Sequence, residues 1–378
     1  MQSNRERGSA SRTLRSLLRS PSVQTLLASL ICIVLGLLVG YIALLIINPA
    51  GATDAIISVL KNFWAYSKPE KQLKNLGVTL VTTAPLLMCS LSVLFAYKVG
   101  LFNIGAAGQY VAGAGACIYC ALALHLPWIV CMLAAIIAGA LLGAISGFLK
   151  AYRNVNEVIS CIMLNWISLY LVNTLLAGVK NPTGKDTYTI ASQNTSAMLP
   201  TAGLSDLFNQ KNVTIAIPIA VIMCVIIWVL LNKTTLGYEL RATGLNKNAA
   251  KYCGMRDRYN IILTMAIAGG LAGMGASMLY LSDFEQWAVT QASVPAMGFN
   301  GIAEAFLGGL NPIGAIFSSY FIQHITRGGA NVNMNMYCAQ ISDLISSVII
   351  YMCGFVLFMK QFMNRRLDAR AQKGGQAK

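Results

Sequence analysis

Long apolar runs alternate with short polar intervals along nearly the whole chain. Runs of 18 or more residues recur, and each is long enough for a helix to cross about 30 Å of hydrocarbon. A backbone in lipid must satisfy its own polar groups, so such runs predict helices. The expected fold class is an all-α integral membrane protein. The spans are predicted at about 24–47, 76–97, 105–125, 128–149, 158–179, 213–231, 259–281 and 337–359.

One further apolar stretch, 294–325, is interrupted by a Gly-Gly pair at 308–309 and by Asn-Pro at 311–312. Basic residues crowd both chain ends and the interval 232–258, and the positive-inside rule places all three in the cytoplasm. Six spans precede that interval and two unbroken spans follow it, so the closing tail is inside only if the interrupted stretch enters and returns. The stretch is therefore predicted to form two short helices, which gives a bundle of about ten transmembrane helices.

These assignments divide the chain into three parts. Residues 1–20 are predicted to form a basic cytoplasmic tail, 21–360 the transmembrane domain, and 361–378 a second basic cytoplasmic tail. Within the domain, the polar interval 180–212 is predicted to be an extracytoplasmic loop and 232–258 a cytoplasmic loop.

Two further patterns refine the bundle. Residues 50–75 mix apolar and basic positions and predict an amphipathic helix at the membrane interface. Small residues recur four apart in two spans and predict close helix approach, since bulky side chains would hold the backbones apart. They are Gly139, Gly143 and Gly147 in one span, and Gly269 and Gly273 in the other.

Composition agrees with a membrane location. The chain is 56% hydrophobic and 11% charged, whereas soluble domains carry about 25% charged residues. The net charge of +15 lies in the gaps between spans rather than on a soluble module, which argues against nucleic-acid binding. Most of the ten cysteines lie inside apolar runs, where cysteine packs as a small apolar residue.

The basic interval 232–258 contains the capping and terminating residues expected of two short helices. Thr235 is predicted to cap the first and Gly244 to end it, while Asn246 caps the second and Gly254 ends that. A capped helical pair between two spans is a candidate docking element. Its charge alone favours a plainer interpretation, in which a solvated loop only fixes the topology.

The sequence carries no pattern of an enzyme. It contains no H-E-x-x-H and no G-x-S-x-G motif, and neither histidine has a carboxylate or cysteine at ligand spacing. It also lacks a phosphate-binding loop, because the nearest approach, 178–186, has the wrong glycine spacing. No catalytic residue, metal site or cofactor is therefore expected in this chain, and nucleotide hydrolysis would have to occur in another subunit.

Polar residues in or beside the spans are informative, because they are costly in lipid and must face protein or water. They fall into three clusters that are candidates for lining a route for a neutral hydrogen-bonding solute, with Trp166 offering a ring for stacking. Packing is the alternative, since hydrogen bonds between helices contribute about 0.6 to 2 kcal/mol each. For each of these residues taken singly, the packing interpretation is favoured. The whole set, however, favours a transporter. The candidate route residues are Asn103, Gln109, Asn156, Glu157, Asn165, Trp166, Asn173, Asn300, Glu304 and Asn311.

Four motifs carry a resemblance to a known family: FNIGAAGQ at 102–109, NVNEVISCIMLNWISLYLVN at 154–173, GYELRATGLNKNAAKYCGM at 237–255 and GFNGIAEAFLGGLNPIGAIF at 298–317. The chain resembles the permease subunits of bacterial ATP-binding-cassette importers for nucleosides and related solutes, within the wider group of ribose and branched-chain amino-acid permeases. Its long N-terminal portion and NEVI…MLN motif resemble the larger of two paired permeases. One residue departs from the family pattern, because Ala107 stands where Glu is usual.

The resemblance implies a ten-helix permease in the bacterial inner membrane with both termini in the cytoplasm. It implies three partners: a second, shorter permease, a cytoplasmic ATPase that holds ATP and magnesium, and an extracytoplasmic, often lipid-anchored, binding protein. It also implies that 237–255 contains a coupling helix, which fits a groove on the ATPase. The positions carried over are Gly237, Glu239, Arg241, Ala242, Gly244, Asn246, Ala249, Ala250 and Gly254.

Nucleosides are the favoured solutes, and riboflavin and simple sugars remain alternative candidates. An alternative from another class is an ion-coupled secondary transporter that works without an ATPase. That mechanism needs a buried, titrating carboxylate, and Glu304 is the sole candidate deep within an apolar segment. A membrane-embedded enzyme or receptor is disfavoured by the missing catalytic set.

Overall fold

The computed structural model describes residues 21–333, 335–338, 340–356 and 358–365. The predicted N-terminal tail and most of the predicted C-terminal tail lie outside the described residues. Within the described part of the chain every named element is a helix, and β pairing is limited to two isolated bridges in polar segments.

Helices longer than four residues are numbered in chain order. They are α1 (Pro21–Ile47), α2 (Ala52–Lys61), α3 (Pro69–Lys98), α4 (Ala106–Leu122), α5 (Trp128–Arg153), α6 (Glu157–Leu176), α7 (Ala216–Lys233), α8 (Thr235–Leu245), α9 (Lys247–Tyr252), α10 (Asp257–Tyr280), α11 (Ala296–Leu307), α12 (Pro312–Gly328) and α13 (Ile341–Cys353). Short helical turns lie at Asn62–Ala65, Ala177–Val179, Ile190–Gln193, Thr195–Ala197, Leu204–Leu207 and Gly329–Asn331. Residues 358–365 are also helical.

Within the described residues, six helices are long and apolar enough to cross a membrane: α1, α3, α5, α6, α7 and α10. α4 and α13 are apolar but shorter. Each predicted span therefore corresponds to a helix, although the ends differ. The largest difference is at α3, which begins at Pro69 rather than near 76, because proline is favoured in a first helical turn and the polar turns that follow extend the helix beyond its apolar part.

The interrupted stretch 294–325 forms two helices, α11 and α12, as predicted. Asn311 caps α12 by accepting a hydrogen bond from the Ile313 backbone N–H at 3.0 Å. The two helices are also tied together, since the Ser318 hydroxyl donates to the Glu304 backbone carbonyl oxygen at 2.9 Å.

α3 lies at the centre of the bundle. In its most apolar window 89% of the residues are buried, and it packs against α7, α10, α11 and α12. Its threonines satisfy their hydroxyls within the helix: Thr83 donates to the Thr79 carbonyl oxygen at 2.7 Å, and Thr79 to that of Asn75 at 2.9 Å. Pro85 lies in the buried middle, where neighbouring helices cover the backbone it disturbs.

α5 and α10 approach each other backbone to backbone. A Cβ added at Gly139 would lie 2.2 Å from the Gly269 carbonyl oxygen, and one added at Gly269 would lie 2.1 Å from the Gly139 carbonyl oxygen. Gly143 faces the Met265 carbonyl oxygen in the same way, at 2.1 Å. The predicted ridge of small residues is thus the seam between these two helices.

The prediction for 50–75 holds only in part. α2 is amphipathic and buries Ala52, Ala55 and Val59 on one face. Residues 69–75, however, belong to α3, so that part of the predicted interfacial helix is wrong. The reason is that the proline at the start of α3 begins a separate helix after an extended residue.

The bundle has two polar ends. One, called the α8–α9 end below, carries α8, α9 and the turn 308–311 that joins α11 to α12. The opposite end carries the long connections 177–215 and 281–295, which are joined by a hydrogen bond from Asn212 Nδ2 to the Ser282 carbonyl oxygen at 2.8 Å.

Candidate functional site

α8 and α9 form the predicted pair of short capped helices. The first cap is Thr234, whose hydroxyl accepts the Gly237 backbone N–H at 3.0 Å. The predicted cap, Thr235, is wrong because this residue is already helical. Asn246 caps α9 as predicted, since its side-chain oxygen accepts the Ala249 N–H at 3.0 Å.

The C-terminal ends of the pair also differ slightly from the prediction. α8 ends at Leu245, one residue after Gly244. Gly254 follows α9 with a φ of +82°, a left-handed conformation that favours glycine.

α8 rests directly on the turn that follows α3. A Cβ added at Gly244 would lie 2.2 Å from the Val99 carbonyl oxygen. Asn260, in the first turns of α10, donates from Nδ2 to the Thr243 hydroxyl at 2.9 Å, and Leu240 is fully buried. A displacement of α8 would therefore move the ends of the two most buried long helices, α3 and α10.

The positions that the resemblance assigned to coupling differ in their exposure. Gly237 and Ala250 are buried, and the Arg241 side chain donates from Nε to the Gly237 carbonyl oxygen at 3.3 Å. The partly buried members are Glu239, Arg241 and Ala242, and the exposed ones are Gly244, Asn246, Ala249 and Gly254.

The sequence analysis missed two residues on this element. Leu245 is 89% exposed and Tyr252 is 92% exposed, which leaves two large apolar side chains uncovered at a polar end of the molecule. Their signal was present as large apolar residues within a basic interval. An exposed apolar pair on a rigidly seated helical element is typical of a contact surface for another protein.

The first polar cluster is a closed hydrogen-bonded set. Asn103 Nδ2 donates to the Gln109 Oε1 at 2.8 Å and to the Ser92 hydroxyl at 3.0 Å, while Gln109 Nε2 donates to Asn103 Oδ1 at 3.1 Å. All three side chains are buried. The set fixes the turn between α3 and α4, close to the point where α8 rests.

Replacing Gln109 with leucine is expected to destabilise the protein by about 1–3 kcal/mol, because Asn103 would lose two of its buried hydrogen bonds. Thermal unfolding of the purified protein measures the effect. Gln193→Leu, at an exposed glutamine of the opposite end, is the matched control. Equal melting temperatures for the two variants would contradict a structural role for the cluster.

In the second cluster Asn165 is buried between helices, whereas Trp166 lies on the surface of the bundle. Asn165 is buried between α6 and α4, where its Oδ1 accepts the Gly108 N–H at 2.8 Å and its Nδ2 donates to the Ile104 carbonyl oxygen at 3.2 Å. Trp166 is 42% exposed on the outer face of α6, with its ring 6.2 Å from that of Tyr170. This geometry favours a packing role for Asn165 and leaves Trp166 available for contact.

The other members of this cluster are spread along α6. Asn156 caps the helix by accepting the Val158 N–H at 2.9 Å, and Glu157 pairs with Lys150 at 2.7 Å. Asn173, near the other end, accepts from the Trp287 indole N–H at 2.9 Å. The structure therefore places these predicted route residues at separate points rather than in one lined channel.

The third cluster is also divided. Asn311 caps α12 at the α8–α9 end, and Asn300 is partly buried on α11. Glu304 is 0% exposed, and its Oε2 accepts a hydrogen bond from the Ser319 hydroxyl at 2.9 Å. Among the described residues its Oε1 has no hydrogen-bond partner.

Position 107, where the resembled family usually has Glu, lies at a contact between α4 and α11. Ala107 is fully buried there, and a Cβ added at Gly298 would lie 2.3 Å from the Ala107 Cα atom. Alanine thus permits a close backbone contact at this point. Elsewhere in the described residues no three His, Cys, Asp or Glu side chains are grouped as metal ligands.

Comparison with known proteins agrees with this architecture. The family model described as "Branched-chain amino acid transport system / permease component" matches residues 75–353. The guanosine ABC transporter permease protein NupP of Bacillus subtilis is 32% identical over 336 residues, which are 86% of this chain and 92% of that protein. The nucleoside ABC transporter permease protein NupB of Lactococcus lactis is 33% identical over 366 residues, 93% of this chain and 96% of that protein.

A second Bacillus subtilis protein, the guanosine ABC transporter permease protein NupQ, is 28% identical over 260 residues, 64% of this chain and 77% of that protein. No solved structure matches the chain. The family model covers well over half of the sequence, and the relatives are permeases rather than enzymes. The chain therefore belongs to the permease-component family of the branched-chain amino acid transport systems and is a multi-pass membrane permease.

Proposed function

We propose that the chain is one permease subunit of an ABC importer for nucleosides and supplies half of the translocation route. The observation that carries this is the similarity, at about one third identity over nearly the whole chain, to permeases of guanosine and nucleoside ABC transporters. The ion-coupled alternative has no comparable support, since its only basis is the buried carboxylate of Glu304.

A second permease completes the route in this proposal. Two permeases of one guanosine transporter in Bacillus subtilis resemble this chain, and so do two permeases of one nucleoside transporter in Lactococcus lactis. In each pair, one permease matches a larger share of this chain than the other does. ATP and magnesium bind a separate cytoplasmic ATPase, and an extracytoplasmic binding protein delivers the solute. These two partners follow from the family resemblance.

The proposed topology has ten crossings, made by α1, α3–α7 and α10–α13. The α8–α9 end faces the cytoplasm, as do both basic tails, 1–20 and 361–378. Support comes from the separate helices α11 and α12, which allow the chain to enter and return before α13. The positive-inside rule then agrees with the basic character of α8, α9 and both tails.

α8 and α9 act as the coupling element in this proposal. Leu245 and Tyr252 dock on the ATPase, and movement of that subunit reaches the bundle through the contact of Gly244 with Val99 and the hydrogen bond of Thr243 with Asn260. The seating of α8 on the ends of α3 and α10 supports this role, because rigid contacts transmit displacement.

The outer face of α6 contributes to the route in this proposal, with Trp166 stacking on the nucleobase. Its exposure and the neighbouring ring of Tyr170 support that role, since every base has a face on which an aromatic side chain can stack. Asn165 holds α6 in place. The other polar candidates have structural hydrogen bonds or separate positions, and their place in the route stays a prediction.

Replacing Trp166 with alanine is expected to lower nucleoside uptake about fivefold or more, because stacking on a base contributes roughly 1–3 kcal/mol. Its melting temperature should change little. Asn165→Leu, by contrast, should lower the free energy of unfolding by about 1–3 kcal/mol, because buried groups lose their hydrogen-bond partners. Trp64→Ala, at another exposed tryptophan, is the control, and equal uptake by Trp166→Ala and Trp64→Ala would contradict the assignment.

The function itself is tested by reconstituting the chain with its second permease, ATPase and binding protein in proteoliposomes. ATP-dependent uptake of radiolabelled guanosine is expected, with competition by other nucleosides and none by glucose or leucine. Uptake by this chain alone without ATP would contradict the proposal and favour the secondary transporter. Competition by glucose or leucine, with no effect of nucleosides, would overturn the substrate class.

A further inference from the structure

A cavity of about 710 Å³ opens at the α8–α9 end. It lies between α1, α7 and α12, and the turn 308–311 forms part of its wall. Its apolar lining comes from Leu30, Trp228, Phe317 and Phe321, which belong to these three helices. Leu30 and Phe317 are exposed, so the cavity is open towards the side of the bundle that acyl chains surround in a bilayer.

Three basic side chains line the same cavity from three different parts of the fold. Lys98 ends α3, Arg241 lies on α8, and Lys360 belongs to the helical segment 358–365. The positive charges of Arg241 and Lys360 both act on the Lys98 ammonium group. Among the described residues that line the cavity there is no Asp or Glu.

The start of α12 adds to this positive potential. Pro312 and Gly314, in its first turn, both line the cavity, and the N-terminus of a helix carries partial positive charge from its aligned peptide dipoles. The cavity therefore combines an apolar groove with a basic end. That combination matches a molecule with an anionic head and hydrocarbon tails, because basic pockets between membrane helices on the cytoplasmic side bind anionic lipid headgroups.

We propose that this cavity binds one anionic phospholipid, whose phosphate lies beside Lys98 and Arg241 and whose acyl chains follow Phe317 and Phe321. The leaflet is the cytoplasmic one, an assignment that rests on the proposed topology. The bound phosphate offsets the repulsion between the end of α3 and α8. The lipid thereby holds the coupling element against the bundle.

The test uses the complete transport complex in nanodiscs that contain either brominated phosphatidylglycerol or brominated phosphatidylcholine at the same mole fraction. Bromine quenches nearby tryptophan, and Trp228 lines the cavity. Its contribution is obtained as the difference from Trp228→Phe. We expect the anionic lipid to quench Trp228 at about one fifth of the mole fraction that the zwitterionic lipid needs, or less. Equal quenching by the two lipids in the unmutated complex would overturn the proposal.

Charge variants locate the binding. Lys98→Gln should weaken the preference for phosphatidylglycerol about fivefold, since each basic residue near an anionic surface contributes about that factor. Arg153→Gln removes a positive charge from the end of α5, outside the cavity lining, and should leave the preference unchanged. An equal loss in both variants would indicate general surface attraction and overturn the site.

Two further outcomes separate the lipid from other anions. Inorganic phosphate at 10 mM should not relieve the quenching, because it has no acyl chains to hold it in the groove. Relief by phosphate would assign the cavity to a free anion and overturn the lipid. Quenching that appears only after the ATPase is removed would assign the cavity to that subunit, with the same consequence.

Discussion

Replacing Leu245 with aspartate is expected to abolish stable binding of the ATPase while the permease stays folded. The side chain is 89% exposed, so the change breaks few contacts within the chain. A large apolar residue at the centre of an interface contributes about 2 kcal/mol or more, and a buried unpaired carboxylate adds a desolvation cost. We therefore expect the ATPase to bind at least about 30-fold more weakly.

The measurement is the amount of ATPase that co-purifies with the tagged permease, together with nucleoside-stimulated ATP hydrolysis. Tyr252→Ala should lower both quantities in the same direction, because it removes the second exposed side chain of the contact surface. Leu207→Asp is the matched control, since Leu207 is also an exposed leucine but lies at the opposite end. Normal association of the Leu245→Asp permease would rule out docking through this surface.

Replacing Gly139 with alanine is expected to cause a large loss of stability for the addition of a single methyl group. The new Cβ would lie 2.2 Å from the Gly269 carbonyl oxygen, a backbone atom that cannot rotate away. α5 and α10 would have to separate, which loses contacts along the whole seam. Overpacking costs about 1–3 kcal/mol where side chains can adjust, and a backbone contact places this variant at the upper end or above.

Gly178→Ala provides the comparison. Nothing lies within 4 Å of a Cβ added at Gly178, so this variant should remain within about 0.5 kcal/mol of the unmutated protein. Alanine is favoured over glycine inside a helix by about 1 kcal/mol, so a lower melting temperature for Gly139→Ala reports the contact and not helix propensity. Similar melting temperatures for the two variants would contradict the close approach of α5 and α10.

The helices of this bundle could be predicted because the apolar runs and the charges are local signals. Even the division of 294–325 followed from a count of crossings. Helix starts were less accessible, as Pro69 and Thr234 show. Both helices begin after an extended residue, Lys68 before α3 and Thr234 before α8, and hydropathy carries no information about that conformation.

The helix pair of the candidate site could be predicted from the sequence, but the residues that it exposes could not. Motifs placed α8 and α9 correctly, but the positions they mark include Gly237 and Ala250, which are buried. The exposure of Leu245 and Tyr252 depends on how α8 and α9 pack against α3 and α10, and no local sequence pattern predicts that packing. The partner of Asn165 was hidden for the same reason, since Gly108 lies on another helix.

The buried position of α3 bears on how the protein is made. Its neighbours α7, α10, α11 and α12 all follow it in the chain. Synthesis proceeds at about 5–20 residues per second, so the roughly 160 residues between α3 and α10 take some 8 to 30 s. During that interval its hydroxyl-rich surface, with Thr79, Ser90 and Ser92, would face lipid without its final neighbours. We expect the insertion machinery to shelter α3 until α10 emerges, so that in a chain stalled on the ribosome before residue 257 α3 can still be cross-linked to that machinery.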